Sequence, residues 1–305
     1  MNRITLGLLL LLPAAAAADE GASFLTLGSG ARPAAMAGAW TAVAEGVDSP
    51  FWNTAGLSRL EKGEFQFSHR EAPIGLRYET VGFARRTARG AFAATGSYLG
   101  QPSLSGRDAA GAQTGRYNAY DLSAGVHYGG ALPFWPELGL GAGARYVRSR
   151  IAEASAQTVA ADVGAQWQGS APWGRGKPSL GAAVRNIGPG LRFLDQSSAL
   201  PLTASVGFGY RLPEGLVADA DAIARPNAGL NGFAAGVEYP LARAFSVRAG
   251  YSSIVAQTGA GGISGALSGF SAGFGVRLDG WTLDYAMTPM GELGSAQSFS
   301  LGARF

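Results

Sequence analysis

Alternation with period two dominates the chain after about residue 63 and continues to its last residue. In Gln297-Ser298-Phe299-Ser300-Leu301-Gly302-Ala303-Arg304-Phe305, the odd-numbered positions are mostly apolar and the even-numbered ones small or polar. Successive side chains of a strand point to opposite faces, so this segment reads as a strand between two different solvents. The same rhythm recurs in Tyr120 to Tyr128, Leu202 to Arg211, Phe245 to Ser252, Phe270 to Leu278 and Trp281 to Met287. It predicts about fourteen strands, near 64–69, 75–86, 90–100, 117–130, 138–150, 155–168, 178–186, 200–212, 215–225, 231–240, 243–252, 268–278, 281–288 and 296–305. Tyr and Trp fall near the ends of these runs, where an interfacial girdle would put them. With Phe305 on the inner side, the long connections 101–116, 187–199 and 253–267 all fall on the other side. Pro133 to Pro136 and 169–177 are the moderately long exceptions. The class predicted is an all-β membrane protein: an antiparallel transmembrane barrel over 63–305, with a short helical plug over 19–62.

Composition supports this reading. Only 15% of the 305 residues are charged, against roughly 25% in soluble domains, and 47 are Gly. No apolar run beyond the first twenty residues reaches the about 20 residues that a membrane helix requires. Residues 1–18 read as a secretory signal: Arg3, an apolar core from Ile4 to Leu12, Pro13, and an Ala-x-Ala site before Asp19. The net charge of +3 is spread out, with no basic cluster that would suggest nucleic acid. The chain has no Cys and only two His, His69 and His127, so no thiolate metal site or disulfide framework is readable. No metal and no cofactor are expected.

Residues 19–62 differ from the rest. Ala34 to Ala44 reads as a small-residue helix with Pro33 at its start, where the missing N–H costs nothing. Asp48-Ser49-Pro50 reads as the cap of a second helical turn through Phe51, Trp52 and Leu57. The stretch contains Gly28-Ser29-Gly30-Ala31-Arg32, then Met36-Ala37-Gly38-Ala39, then Trp52-Asn53-Thr54-Ala55-Gly56-Leu57. This pair of motifs resembles that of the PorV/PorQ family of outer-membrane proteins, relatives of the FadL-type long-chain fatty acid transporters. Thr54 stands where that family has Pro, and Ala37 where Gly is common. The resemblance implies a plug or hatch built on Gly28, Gly30, Arg32, Met36, Gly38, Trp52, Asn53 and Gly56. It implies a non-enzymatic role in type IX secretion, as shuttle or attachment component, with protein partners at the loops 101–116, 187–199 and 253–267. The alternative it implies is FadL-like transport of hydrophobic small molecules, with Phe24, Leu27, Trp40 and Phe51 lining a pocket. It also implies that the terminal aromatic, Phe305, is read by the barrel-insertion machinery in a bacterial outer membrane, where lipid surrounds the barrel.

A fourteen-stranded barrel is too wide for its own side chains to fill, which gives the plug a physical reason. The inward positions carry Arg145, Asp162, Arg185, Arg211, Asp219, Asp221, Glu238, Arg248, Arg277, Asp284 and Arg304. Asp219 and Asp221 face the same way and are expected to neutralise lumen arginines rather than do acid–base work. Arg32 and Asn53 are expected to pair with lumen carboxylates or backbone. Gly139-x-Gly141-x-Gly143 reads as inward small residues leaving room for the plug, since a dinucleotide loop would need a following helix. His127 faces inward beside Asp121 and Ser123, and no nucleophile–base pair or metal motif accompanies it.

Overall fold

The computed structural model describes residues 20–171, 174–258, 268–290 and 294–305. The expected signal segment lies outside them, as does most of the 253–267 connection. Fourteen strands close an antiparallel barrel. They are β1 (Glu64–Ala72), β2 (Leu76–Thr87), β3 (Gly90–Gly100), β6 (Ala119–Leu132), β7 (Trp135–Ile151), β8 (Ala154–Gln168), β9 (Lys177–Ile187), β12 (Thr203–Arg211), β13 (Val217–Arg225), β14 (Leu230–Ala242), β15 (Phe245–Ser252), β16 (Phe270–Leu278), β17 (Trp281–Pro289) and β18 (Ser295–Arg304). Every predicted strand is present, with ends displaced by up to three residues. Two further hairpins sit in long connections: β4 (Leu104–Arg107) with β5 (Gln113–Tyr117), and β10 (Leu191–Phe193) with β11 (Gln196–Ser198).

Closure is made by β1 against β18, in register from Glu64↔Arg304 to Glu71↔Gln297. Gly63 and Phe305 then exchange both backbone hydrogen bonds at 2.9 Å. The Phe305 ring lies over Gly63, where any side chain would collide with it, and stacks on Phe83 with centroids 6.1 Å apart. We call the end holding Gly63 and Phe305 the seam end, and the opposite one the loop end. The seam end has mostly short turns, including 88–89, 243–244 and 279–280. β6 and β7 run past their predicted ends, so the turn between them shrinks to 133–134. The connection 169–176 is the long exception. Both hairpins, and the short helix α2 (Ser253–Thr258), belong to the loop end.

Burial is inverted relative to a water-soluble protein. Phe208, Phe233 and Trp281 are more than half exposed on the outer wall. Ser205, Asp219, Asp221, Glu238 and Arg248 are buried inside. This distribution suits apolar solvent outside and polar contents within. No described helix is long and apolar enough to cross a membrane.

Residues 20–63 thread the barrel. Glu20 bridges to Ala199 at the loop end, and Arg59 donates to the Glu137 carbonyl at the seam end. The expected helix over 34–44 is replaced by α1 (Ala31–Ala35), with Pro33 inside it. The chain then turns through Ala37 (φ 55°) and Gly38 (φ 78°). The reason is tertiary: wall carboxylates take the N–H groups that a helix would have satisfied internally. The second helical turn becomes two 3₁₀ turns, Gly46–Phe51 and Thr54–Arg59. Its cap is Asn53, whose Oδ1 accepts from the Ala55 N–H, rather than Asp48 or Ser49.

Candidate functional site

The wall meets the threaded segment through glycines. At Gly82, an added methyl would lie 2.6 Å from Val47 Cγ2; at Gly129, 2.7 Å from Leu57 Cβ. At Gly141 it would lie 2.5 Å from the Ala55 nitrogen, at Gly236 2.6 Å from Met36 Cβ, and at Gly273 2.6 Å from Ala35 Cβ. Gly139 abuts Ser58 and Gly164 abuts Asn53. Wall positions on six separate strands thus lack side chains where the segment touches them. Gly143 serves another purpose: it makes room for the His127 ring.

Within the segment the motif residues converge. The Trp52 indole lies between Gly28 (φ 67°) and Gly38, with side chains excluded at both, and its Nε1 donates to the Ser29 carbonyl at 2.9 Å. Gly30 abuts Asp48, and Gly56 abuts the Ala44 carbonyl. The Asn53 amide donates to the Thr41 carbonyl at 2.8 Å and to the Ala165 carbonyl of β8 at 3.0 Å. Met36 is buried against the wall.

Charges tie segment to wall. Arg32 makes a two-pronged pair with Glu238 (2.7 and 2.8 Å) and a third bond to Glu45 at 2.6 Å. Its guanidinium lies 4.8 Å from the Trp40 ring centroid. Arg248 bridges Glu238 (2.5 Å) and Asp284 (2.7 Å), and Arg211 reaches Glu45 at 3.0 Å. Three guanidiniums therefore balance three carboxylates, as burial of charge requires. A second group joins Arg145 to Asp162 (2.8 and 2.7 Å) and to Asn186. Arg185 donates to the Phe51 carbonyl, with its guanidinium 5.7 Å from the Trp52 ring centroid. Arg277 and Arg304 sit at the exposed rim instead of deep in the lumen, where Arg304 pairs with Glu64 at 2.9 Å.

Asp219 and Asp221 depart from expectation. They make no arginine pair; Asp221 accepts from the Trp40 and Thr41 N–H groups at 2.9 and 3.0 Å, and Asp219 from Ala42 at 3.2 Å. They cap a stretch of backbone that has left the helix. His127 bonds to Thr95 at 2.9 Å, while Ser123 bonds to Ser97. Neither assembles a catalytic group, and no cluster of metal-ligating side chains occurs among the described residues.

Pattern reading missed Glu45, Gln66, Arg70, Gln166 and Ser300. Gln166 donates to the Ala42 and Ala44 carbonyls, and Ser300 Oγ accepts from the Ala31 N–H at 2.7 Å. A signal for both was present: each is a polar residue on the inward parity of its strand.

Phe24, Leu27, Trp40 and Phe51 do not share one pocket. Phe24 packs with Leu25, Tyr78, Val147, Ala160 and Leu200, with Leu27 and Leu99 alongside. Trp40 belongs to a separate cluster with Met36, Val43, Ala44 and Val217. Phe51 is buried beside Arg185.

Two acids of the segment have opposite tendencies. Burial pushes Asp48 up to about 6 despite hydrogen bonds from Ser29 and Gln66. Burial also disfavours ionised Glu45, but Arg32 and Arg211 overcome it and lower the group to about 2. For Asp48 the folded state holds its proton more tightly than the unfolded chain. Its contribution is therefore complete below about pH 4 and is lost as pH rises through 6. Glu45 contributes above about pH 4.5 and fades as pH falls toward 2. Asp48→Asn is expected to flatten the fall in thermal unfolding temperature between pH 4 and 6. An unchanged slope in that window would rule out Asp48 as its source.

Taken together, the closed barrel, the apolar outer wall and the threaded lumen define a plugged β-barrel of the outer-membrane type. Comparison with solved structures agrees on the fold. The chain is similar to a TodX deltaS2S3 mutant monoaromatic hydrocarbon channel (TM-score 0.62, 13% identity, 91% of this chain and 99% of that one). It is likewise similar to the Ralstonia pickettii toluene transporter TbuX (0.58, 13%, 92% and 100%) and to a Pseudomonas aeruginosa FadL homologue (0.53, 15%, 88% and 97%). No family model and no curated protein matches the sequence. The chain shares the barrel fold of these outer-membrane proteins.

Proposed function

We propose that the chain is a bacterial outer-membrane channel for hydrophobic small molecules, plugged by residues 20–63. The observation that carries this reading is an apolar cluster inside the lumen at its loop end. Tyr78, Leu99, Val147 and Leu200 surround Phe24 and Leu25, which occupy the place a hydrophobic cargo would take. Few polar contacts hold the segment through Leu25: Glu20 with Arg225 at 2.6 Å, and the Gly21 N–H to the Ala199 carbonyl at 2.8 Å; the next are from Arg70 to the Leu27 carbonyl at 3.1 Å and between Ser29 and Thr80 at 2.6 Å. The segment beyond Ala31 is bonded to the wall throughout. Cargo entering from the loop end would displace Phe24 and Leu25 and leave the rest seated. Similarity in fold to hydrocarbon channels across nearly their full length supports the reading. In this orientation the seam end is periplasmic, the loop end faces outward, and Phe305 presents the terminal aromatic to the insertion machinery.

The test is uptake of toluene into vesicles containing the purified protein. Wild type is expected to exceed empty vesicles, and Leu200→Asp to reduce the excess at least tenfold without altering the heat-modifiable mobility of the folded barrel. Equal uptake by empty and loaded vesicles would overturn transport.

A second reading, a PorV/PorQ-type export component, is favoured by one feature, the exposed β4–β5 hairpin carrying Leu104. Deleting 104–117 should then abolish co-purification of secretion subunits while the barrel still folds. Retained co-purification after this deletion and after deletion of 191–198 would exclude these two hairpins as the binding surface.

A further inference from the structure

Two cavities open at the seam end, of about 630 and 520 Å³. Glu45, Arg59, Glu61 and Arg211 line both, so they are lobes of one vestibule beneath the plug. Nine basic side chains and four carboxylates face it. Its excess of five positive charges is greater than the +3 of the whole chain. Much of that charge is unused. Among the described residues, the Lys62, Lys177, Arg243 and Arg277 side chains make no hydrogen bond or ion pair. Arg59 and Arg86 donate only to main-chain carbonyls, and Arg59 Nε is buried without a partner. Structural arginines of this protein look different: Arg32, Arg145 and Arg248 are each matched to carboxylates. Basic side chains around a concave, low-dielectric wall focus their field on its contents.

We propose that this vestibule docks an acidic, extended peptide segment of a partner protein presented from the seam end. The charge sign requires an anion. Its spread over two joined lobes suits several carboxylates along a chain rather than one head group. Carboxylates of such a segment would form charge-assisted hydrogen bonds with the free cations, above a floor of Ala42, Val43 and Ala44. This assignment does not depend on what passes through the barrel.

The test is fluorescence anisotropy of a labelled ten-residue poly-glutamate peptide with the full-length protein in neutral detergent. Saturable binding is expected, weakening steeply as salt is raised, with none for poly-lysine of the same length. The double variant Lys62→Glu/Arg243→Glu should weaken binding about tenfold or more. Lys62→Gln/Arg243→Gln should lie between it and wild type, and serves alone if charge reversal prevents folding. No saturable binding to folded wild type would overturn the proposal, as would equal affinity in wild type and variants. Displacement of the peptide by an equimolar amount of inorganic phosphate would overturn it too, since a single-anion pocket would then account for the charge.

Discussion

Replacing Gly141 with valine is expected to dislodge residues 53–59 and turn a closed lumen into an ion-conducting one. The first carbon of the new side chain would sit 2.5 Å from the Ala55 nitrogen. What it meets is backbone, so no rotation of a neighbouring side chain relieves the clash. Overpacking in a well-filled core costs about 1–3 kcal/mol, and here the turn must also give up the Asn53 cap. The wall is tied by the β6 and β8 ladders on either side, so the plug yields first. Single-channel recording should show larger and noisier conductance, and limited proteolysis should cut the 53–59 region that wild type protects. Gly96→Ala is the matched control, because Gly96 meets Val81 on the outer wall, away from the plug. Wild-type conductance and protection in Gly141→Val would show that the segment is not seated where the structure places it.

Arg32→Met has the second largest expected effect. Arg32 carries three hydrogen bonds to Glu238 and Glu45, and its side chain is only 12% exposed. Removing it leaves three carboxylates facing Arg211 and Arg248. Removing one partner from a buried ion pair typically costs about 3–5 kcal/mol; the remaining arginines place this case toward the lower end. The loss should appear as a lower thermal unfolding transition together with greater proteolysis of residues 20–45. Arg32→Lys should recover part of it, since a lysine keeps the charge but not the two-pronged pair with Glu238. Arg32→Met/Glu45→Gln should also recover part of it, by removing the charge left in excess. If Arg32→Met unfolds at the wild-type temperature, the network contributes nothing to holding the plug.

The barrel was legible because a strand between two solvents must alternate, and an error of one residue would reverse its faces. That constraint set all fourteen strands and the parity of Asp219, Asp221, Glu238 and Arg248. It also showed that Gly139 and Gly141 are inward and small. What alternation cannot encode is the partner across the lumen. Arg32 and Glu238 are 206 residues apart, and nothing local to either announces the other. The helix predicted over 34–44 failed for the same reason: Asp221 and Asp219 offered the Trp40, Thr41 and Ala42 N–H groups a better set of acceptors than a helix of small residues does internally. The β4–β5 and β10–β11 hairpins have strands of only three to five residues, too short to show a readable alternation. The vestibule is assembled from residues between Arg32 and Arg304, and its charge emerges only when the rim closes.

The hydrogen bond from the Ala31 N–H to Ser300 spans 269 positions of the chain. Residues translated first wait for acceptors that are translated last. Loop closure over that span carries the entropic cost that makes non-local topologies slow. The plug therefore cannot finish folding before the seam between β1 and β18 exists, and during that interval Phe24, Trp40, Phe51 and Trp52 are exposed apolar surface. The segment made early is thus the last to be enclosed, and its burial reports completion of the barrel.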